Sequence, residues 1–369
     1  MTPTRDEAFA RIRLLRSPNV GPVSYAQLLR RFGDAQAALA ALPDLAARGG
    51  APYRPAPEAR IADEIAAVKR AGARYLFHDS PDYPPLLAMT EGAPPILIVR
   101  GEASLAARQA VAVVGARNAS AAAVKLSRDF AAGLAGAGLC VVSGLARGID
   151  GAAHKGALSA GPGGGGTIGV IASGIDIAYP AEHAQLQEQV ATGGLLVTEQ
   201  PPGTEPLARH FPSRNRIIAG LALGTLVVEA APKSGSLITA RLAGEYGREV
   251  MAIPGSPLDS RSHGCNQLIR DGAVLVQSPA DVVELLGGFD GTPRSRFREA
   301  APAWSAGEGE DLASEPADVA GLLTTAPVGV DELIRQSGEA AAAVQLALLE
   351  LELAGRLVRH AAGRVSLAG

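Results

Sequence analysis

Short runs of consecutive apolar residues, rather than alternating ones, dominate the middle of the chain. Val111 to Val114, Leu139 to Val142, Thr167 to Ile171, Leu195 to Val197, Thr225 to Val228 and Glu249 to Ile253 each have the length of a strand, and Gly272 to Val276 offers a later one. Stretches of helical length separate them. The alanine-rich segment 119–137 is the plainest, and a further helix is expected to start near Asp150. A strand that is apolar on both faces belongs inside a parallel sheet covered by helices on either side. The runs stop at Gly, Ser, Asp, Glu or Pro. Those positions are strand carboxyl ends, where doubly wound sheets seat their ligands. The pattern predicts an α/β fold with a Rossmann-like, doubly wound, mostly parallel sheet.

The flanks read differently. Residues 1–70 have the spacing of short helices, among them Ser24 to Arg31, with Phe32-Gly33-Asp34 as a helix stop followed by a new N-cap. This is a small helical domain, SAM-like or helix–hairpin–helix-like. Its tight turn Asn19-Val20-Gly21-Pro22 either offers backbone N–H groups to phosphate or serves a domain that makes protein contacts. A Pro-rich loop covers 48–57, and an irregular stretch, 79–87, leads to the apolar run Ile96 to Val99. Residues 288–318 read as an acidic flexible linker. Residues 319–369 show helix, turn, helix and hairpin, the winged-helix order. The expected domains are therefore 1–70, 71–287 (the Rossmann-like core) and 319–369, with 288–318 as linker.

Composition narrows the class. A 369-residue chain that is 47% hydrophobic and 19% charged is not disordered and holds two or three cores. Only 4% of residues are aromatic, so those cores are aliphatic. Two cysteines, Cys140 and Cys265, make no disulfide framework and read as reduced thiols. Charges occupy the first residues where a signal peptide needs an apolar run, and the longest apolar stretch, 217–231, is shorter than a span and holds Glu229. A cytoplasmic protein with no membrane contact is expected. A net charge of −3 at first opposes nucleic-acid binding. That average, however, combines a basic N-terminal segment, a neutral core and an acidic linker.

Several motifs are decoys. Gly115-Ala116-Arg117-Asn118 follows a strand but lacks the dinucleotide glycine pattern. Pro162 to Thr167 resembles the PGGxGT loop of phosphoribohydrolases, yet it precedes a strand instead of opening a helix, so it reads as a flexible loop. There is no P-loop. The six histidines have no metal-ligand spacing. Ser143, Asp150 and His154 lack a nucleophile elbow, and the i, i+4 spacing of the last two reads as ordinary helix-start polarity. No catalytic residue, metal or cofactor is expected.

The positive signal lies in Phe211-Pro212-Ser213-Arg214-Asn215-Arg216. No acidic residue occurs from Pro206 to Val228, while Arg209, Arg214 and Arg216 are basic. Guanidinium groups that hold phosphate beside a ring that stacks bases are the chemistry of single-strand grooves. An ordinary surface helix start with a core Phe fits the residue types equally well. Lys233-Ser234-Gly235-Ser236 follows a strand and opens a helix, which makes an anion-accepting N-terminus. Arg117 and Arg147 stand after neighbouring strands.

Taken in order, these pieces resemble the DNA-processing protein A (DprA/Smf) family, densely over about residues 75–285. The resemblance rests on Val113 to Arg117, Ser143 to Asp150 with Ala153-His154, Ile171 to Asp176 with Tyr179-Pro180, Phe211 to Gly220, Val227 to Ala230 with Ser234 to Ala240, and Ala252 to Gly255 with Gly264 to Ile269. It implies a non-enzymatic protein that binds single-stranded DNA, self-associates as a homodimer, protects incoming DNA and loads the recombinase RecA during natural transformation. Carried over residue by residue, it makes Arg117, Phe211, Arg214, Asn215, Arg216, Ser234, Gly235 and Ser236 DNA-binding, to which the strand-end reading adds Arg147 and Lys233. Ala116 replaces the family's serine. The C-terminal domain is expected to add little DNA affinity, because its longer helix carries Glu350 and Glu352 and no basic residue. The competing reading is a nucleotide- or phosphosugar-binding enzyme using the same strand ends.

Overall fold

The computed structural model describes residues 3–287, 319–360 and 363–368, so the stretch expected to be a linker, 288–318, lies outside the described residues. Four helices come first: α1 (Arg5–Arg16), α2 (Pro22–Phe32), α3 (Ala35–Arg48) and α4 (Glu58–Arg70). Then follow β1 (Arg74–Phe77), α5 (Pro85–Ala88), β2 (Ile96–Gly101), β3 (Ala110–Val114), α6 (Ala121–Gly136), β4 (Cys140–Ser143), α7 (Ile149–Ser159) and β5 (Thr167–Val170). Next are α8 (Ala184–Gly193), β6 (Leu195–Thr198), α9 (His210–Leu221), β7 (Gly224–Val227), α10 (Gly235–Glu245), β8 (Glu249–Ala252), α11 (His263–Arg270), β9 (Val274–Leu275) and α12 (Pro279–Gly287). The C-terminal elements are β10 (Val328–Gly329), α13 (Val330–Ser337), α14 (Ala341–Leu353), β11 (Leu357–His360) and β12 (Arg364–Leu367). These residues fall into two compact units, one from Glu64 onward through α12, the other joining residues 3–63 to the described residues from 319 on.

The first unit is built on a nine-stranded sheet in the order β1-β2-β6-β5-β4-β3-β7-β8-β9. All neighbours from β6 to β9 pair in parallel; β2 meets β6 antiparallel, and β1 meets β2 antiparallel. The apolar runs are unbroken because successive residues feed opposite cores. Ala110, Ala112 and Val114 of β3 face a cluster with Ile217 and Leu221 of α9, while Val111 and Val113 face one with Phe130 and Leu134 of α6. Each large side chain so buried contributes about 1.5–3 kcal/mol. The chain lays β3, β4, β5 and β6 outward in one direction, then returns through α9 to place β7 on the other side of β3. That reversal puts the topological switch point between β3 and β7. The helices that follow the parallel strands start at one edge of the sheet, the carboxyl edge.

In the second unit, α14 explains its own composition. It is apolar on nearly every face because it serves two cores. Val344, Ala347, Leu348 and Leu351 pack with Leu333 and Val365 of the winged-helix elements, and Leu346, Leu349 and Leu353 pack with Leu28, Leu42 and Leu45 of the N-terminal helices. Gly49, just past α3, lies so close that an added Cβ would fall 2.2 Å from the Glu350 carbonyl oxygen. The turn before α2 faces the same helix: the Asn19 side-chain amide donates to the Leu353 carbonyl at 3.1 Å. The turn thus packs within this unit, against α14. The acidic residues of α14 likewise differ from the open, phosphate-repelling face expected from sequence. Glu350 is 4% exposed, and Glu352 accepts from Arg359 at 2.8 Å.

Candidate nucleic-acid interface at the carboxyl edge of the sheet

Helix N-termini at this edge leave backbone N–H groups without intrahelical partners, and each end is treated differently. The start of α6, at the switch point, is closed from within. Glu229, just past β7, accepts from the Ser120 N–H at 2.9 Å and from the Ser120 hydroxyl at 2.6 Å, while its carbonyl accepts from the Ala116 N–H at 2.7 Å. The place where a dinucleotide fold seats its pyrophosphate is thus occupied by a carboxylate of the same chain. The start of α10 is open. No side chain caps it, and the Ser234 and Ser236 hydroxyls lie 2.8 Å apart, bonded to each other. Lys233 precedes it in the left-handed backbone region, at φ 67°, an uncommon state for a side chain other than Gly or Asn. The start of α9 has neither a side-chain cap nor an acidic residue in its first turn. Asn215 of α9 donates to the Gly235 carbonyl at 3.3 Å and ties the two open ends together.

Phe211, in the first turn of α9, gathers the aromatic and cationic groups. The Arg117 guanidinium carbon stands 4.6 Å from its ring centroid, a cation–π contact, and the Tyr179 ring centroid lies 5.7 Å away. Arg117 is exposed, and Tyr179 is 43% exposed. Phe211 itself is half-buried, so it seats Arg117 as much as it offers a face of its own. Tyr179 was not among the residues expected at the site, since its approach to Phe211 depends on how the loop after β5 folds back.

The expected phosphate contacts separate into two kinds. Arg117 and Lys233 are exposed. Arg147 is exposed too, but it forms a fork with Glu182, its Nη2 donating to Oε2 at 2.7 Å, so a phosphate there must displace a carboxylate. Arg216 departs further from expectation. It is largely buried, donates to the Gly92 carbonyl at 2.6 Å and pairs with Glu199, which spends its charge within the fold. Arg214 is 5% exposed, and its Nη1 donates to the Val170 carbonyl at 3.0 Å beneath the surface. Its Cζ lies 5.9 Å from the Phe211 centroid. An arginine facing the ligand was expected there; the structure has one facing the core.

The groups that imitate a nucleophilic triad are committed elsewhere. The Ser143 hydroxyl donates to the Val113 carbonyl at 2.6 Å. The Thr167 hydroxyl donates to the Val141 carbonyl at 2.7 Å, so its oxygen accepts from His154 Nδ1 at 2.8 Å, which places the imidazole proton on Nδ1. Burial, with Arg214 nearby, pushes the His154 imidazole down to about 3. The unfolded imidazole, by contrast, takes up a proton near pH 6.5. The unfolded chain therefore binds the extra proton, and stability falls as pH drops through that window, by up to about 1.4 kcal/mol per pH unit. Urea unfolding at pH 7 and pH 5 is expected to show this loss in the natural chain and a smaller one in His154→Gln; equal losses would mean that the imidazole titrates normally. Burial raises the Asp150 carboxyl, while Arg214, the Ala146 N–H, Arg117 and the Gly144 N–H pull it the other way. The two thiols, Cys140 and Cys265, are free and buried. Among the described residues no group of His, Cys, Asp and Glu has the makings of a metal site. No described helix is long and apolar enough to cross a membrane.

A doubly wound, mostly parallel sheet whose carboxyl edge carries an exposed arginine seated on an aromatic ring defines a Rossmann-like protein. The sequence model of the DNA recombination-mediator protein A family matches residues 74–287, that of the DprA-like N-terminal HHH domain residues 5–67, and that of the DprA winged helix domain residues 302–363. Protein Smf of Escherichia coli is 38% identical over 313 residues, 84% of this chain and 82% of that protein. DNA processing protein DprA of Streptococcus pneumoniae is 47% identical over 201 residues, 54% of this chain and 70% of that protein. The X-ray structure of DprA from Streptococcus pneumoniae aligns with TM-score 0.64 and 36% identity over 79% of this chain and 99% of that one. A Helicobacter pylori DprA structure, described for its single-stranded DNA binding mode, aligns with TM-score 0.53 and 27% identity over 59% of this chain and 99% of that one. The chain belongs to the DNA recombination-mediator protein A (DprA/Smf) family.

Proposed function

We propose that the chain binds single-stranded DNA along the carboxyl edge of its sheet, without catalysis or cofactor, and in the cytoplasm protects incoming strands and hands them to RecA during natural transformation. The observation that carries the binding step is the exposed Arg117 seated on Phe211, with Tyr179 beside it and the uncapped end of α10 on the same edge. Guanidinium and N–H groups meet phosphates, and flat groups meet bases of any sequence. The single-strand binding described for the Helicobacter pylori protein supports this reading. RecA as partner and a homodimer as the working form follow from the family resemblance. The competing enzyme reading holds a single nucleotide or phosphosugar phosphate at Arg117 and Ser236 of the same edge; Glu229 fills only the neighbouring α6 end.

Fluorescence anisotropy across salt and oligonucleotide length separates the two. Strand binding is expected to strengthen with length up to the site size and to weaken steeply with salt, with a slope of about −0.7 per phosphate neutralised. Equal affinity for a mononucleotide and a roughly 20-nucleotide strand, with a shallow salt slope, would favour the enzyme reading.

A further inference from the structure

Two opposite charges lie beneath the platform. Asp150, in the first turn of α7, is 6% exposed, and Arg214, in α9, is 5% exposed. Both approach Gly144, where an added Cβ would fall 1.5 Å from Arg214 Nη1 and 2.7 Å from Asp150 Oδ2, close enough for each charge to act on the other without a direct hydrogen bond. Only a glycine leaves room for that approach. The guanidinium also reaches the end of β5 through the Val170 carbonyl, and it lies 5.9 Å from the Phe211 ring that seats Arg117. The two residues thus gather around the loop after β4, the end of β5, the first turn of α7 and the N-terminal half of α9.

We propose that Asp150 and Arg214 are a positioning pair: neither touches DNA, and together they fix Phe211, and through it Arg117, in the orientation that receives a strand. The proposal rests on the single-strand reading above. Buried charges are seldom the most stable filling for a core, since a well-packed apolar pair of similar size serves as well or better. Here the charges sit under the part of the sheet where the exposed Arg117 rests on the Phe211 ring.

The test uses the full chain, a single-stranded oligonucleotide carrying 2-aminopurine, and four variants: Asp150→Asn, Arg214→Met, the double variant Asp150→Leu with Arg214→Met, and Arg214→Lys. Asp150→Asn removes a negative charge from beside a phosphate site, so plain electrostatics predicts tighter binding; the positioning account predicts binding weaker by about tenfold, the scale of one lost base stack. Arg214→Met is expected to weaken binding without changing the salt slope, and to lose the 2-aminopurine response. A direct phosphate contact would instead reduce the slope by about 0.7. In the double variant no buried charge is left alone, so the thermal midpoint is expected to recover while affinity stays low. Arg214→Lys keeps the charge but not the planar fork, and is expected to bind weakly as well. Unchanged or tighter binding by Asp150→Asn, a reduced slope in Arg214→Met, or affinity that returns with stability in the double variant would each overturn the proposal while leaving strand binding intact. Failure of the natural chain to bind the oligonucleotide would overturn the single-strand reading, and the proposal with it.

Discussion

Arg117→Ala is expected to lower affinity for single strands of any sequence by one to two orders of magnitude, about what one lost phosphate contact and one lost stacking surface cost together. Three features make this the largest binding effect of any single side chain at the edge. Arg117 is exposed, it stands at the switch point, and its guanidinium is held 4.6 Å from the Phe211 centroid before any ligand arrives. Pre-seating reduces the ordering entropy that a free arginine gives up on binding. The loss is expected to come with a salt slope shallower by about 0.7, whereas Arg117→Lys keeps the slope and loses the stacking. Arg216→Ala is the contrast. With its donors spent on Glu199 and the Gly92 carbonyl, its removal is expected to lower the thermal midpoint and leave the slope alone. Equal slope changes in both variants would show that burial does not separate the two arginines.

Gly144→Ala is expected to cost about 3 kcal/mol of stability in urea unfolding, the scale for a buried charge deprived of its partner. One methyl group suffices because it would stand 1.5 Å from Arg214 Nη1. A long side chain in open solvent would swing aside at little cost. Arg214 is 5% exposed, and moving it breaks its bond to the Val170 carbonyl and separates it from Asp150. The same variant is expected to bind strands weakly even at temperatures where it stays folded. A loss below about 0.5 kcal/mol, the range of ordinary surface substitutions, would mean that the guanidinium has other room to occupy.

The sheet was legible because its strands are buried on both faces, which leaves unbroken apolar runs ended by small or polar residues. Where that condition fails, so did legibility. β1 is exposed at its start, where Arg74 pairs with Asp82, and no apolar run announces it. The edge proposed to receive the strand was legible as a place in the fold, since strand carboxyl ends and an acid-free arginine segment are sequence features. The roles of individual arginines were not. A charged residue is almost never fully buried without compensation, so sequence gives no reason to send Arg214 inward, and its partner Asp150 lies in a different strand–helix unit. The ion pairs of Arg216 and Arg147 were hidden for the same reason: Glu199 and Glu182 reach them only through the fold. α14 shows the converse. Its near-uniform apolarity was visible, but the N-terminal core it enters is assembled from residues at the far end of the chain.

The central claim is that a strand lies on the carboxyl edge, against Tyr179, Phe211 and Arg117. Photo-crosslinking with a single-stranded oligonucleotide bearing 5-iodouracil tests it most directly, because the excited base couples to an aromatic ring in contact with it. Peptide mapping is expected to place the crosslinks on Tyr179 and Phe211, and Arg117→Ala is expected to reduce them. Crosslinks confined to the N-terminal helical unit, for example at the half-buried Tyr53, with Tyr179 and Phe211 unmodified, would contradict the account.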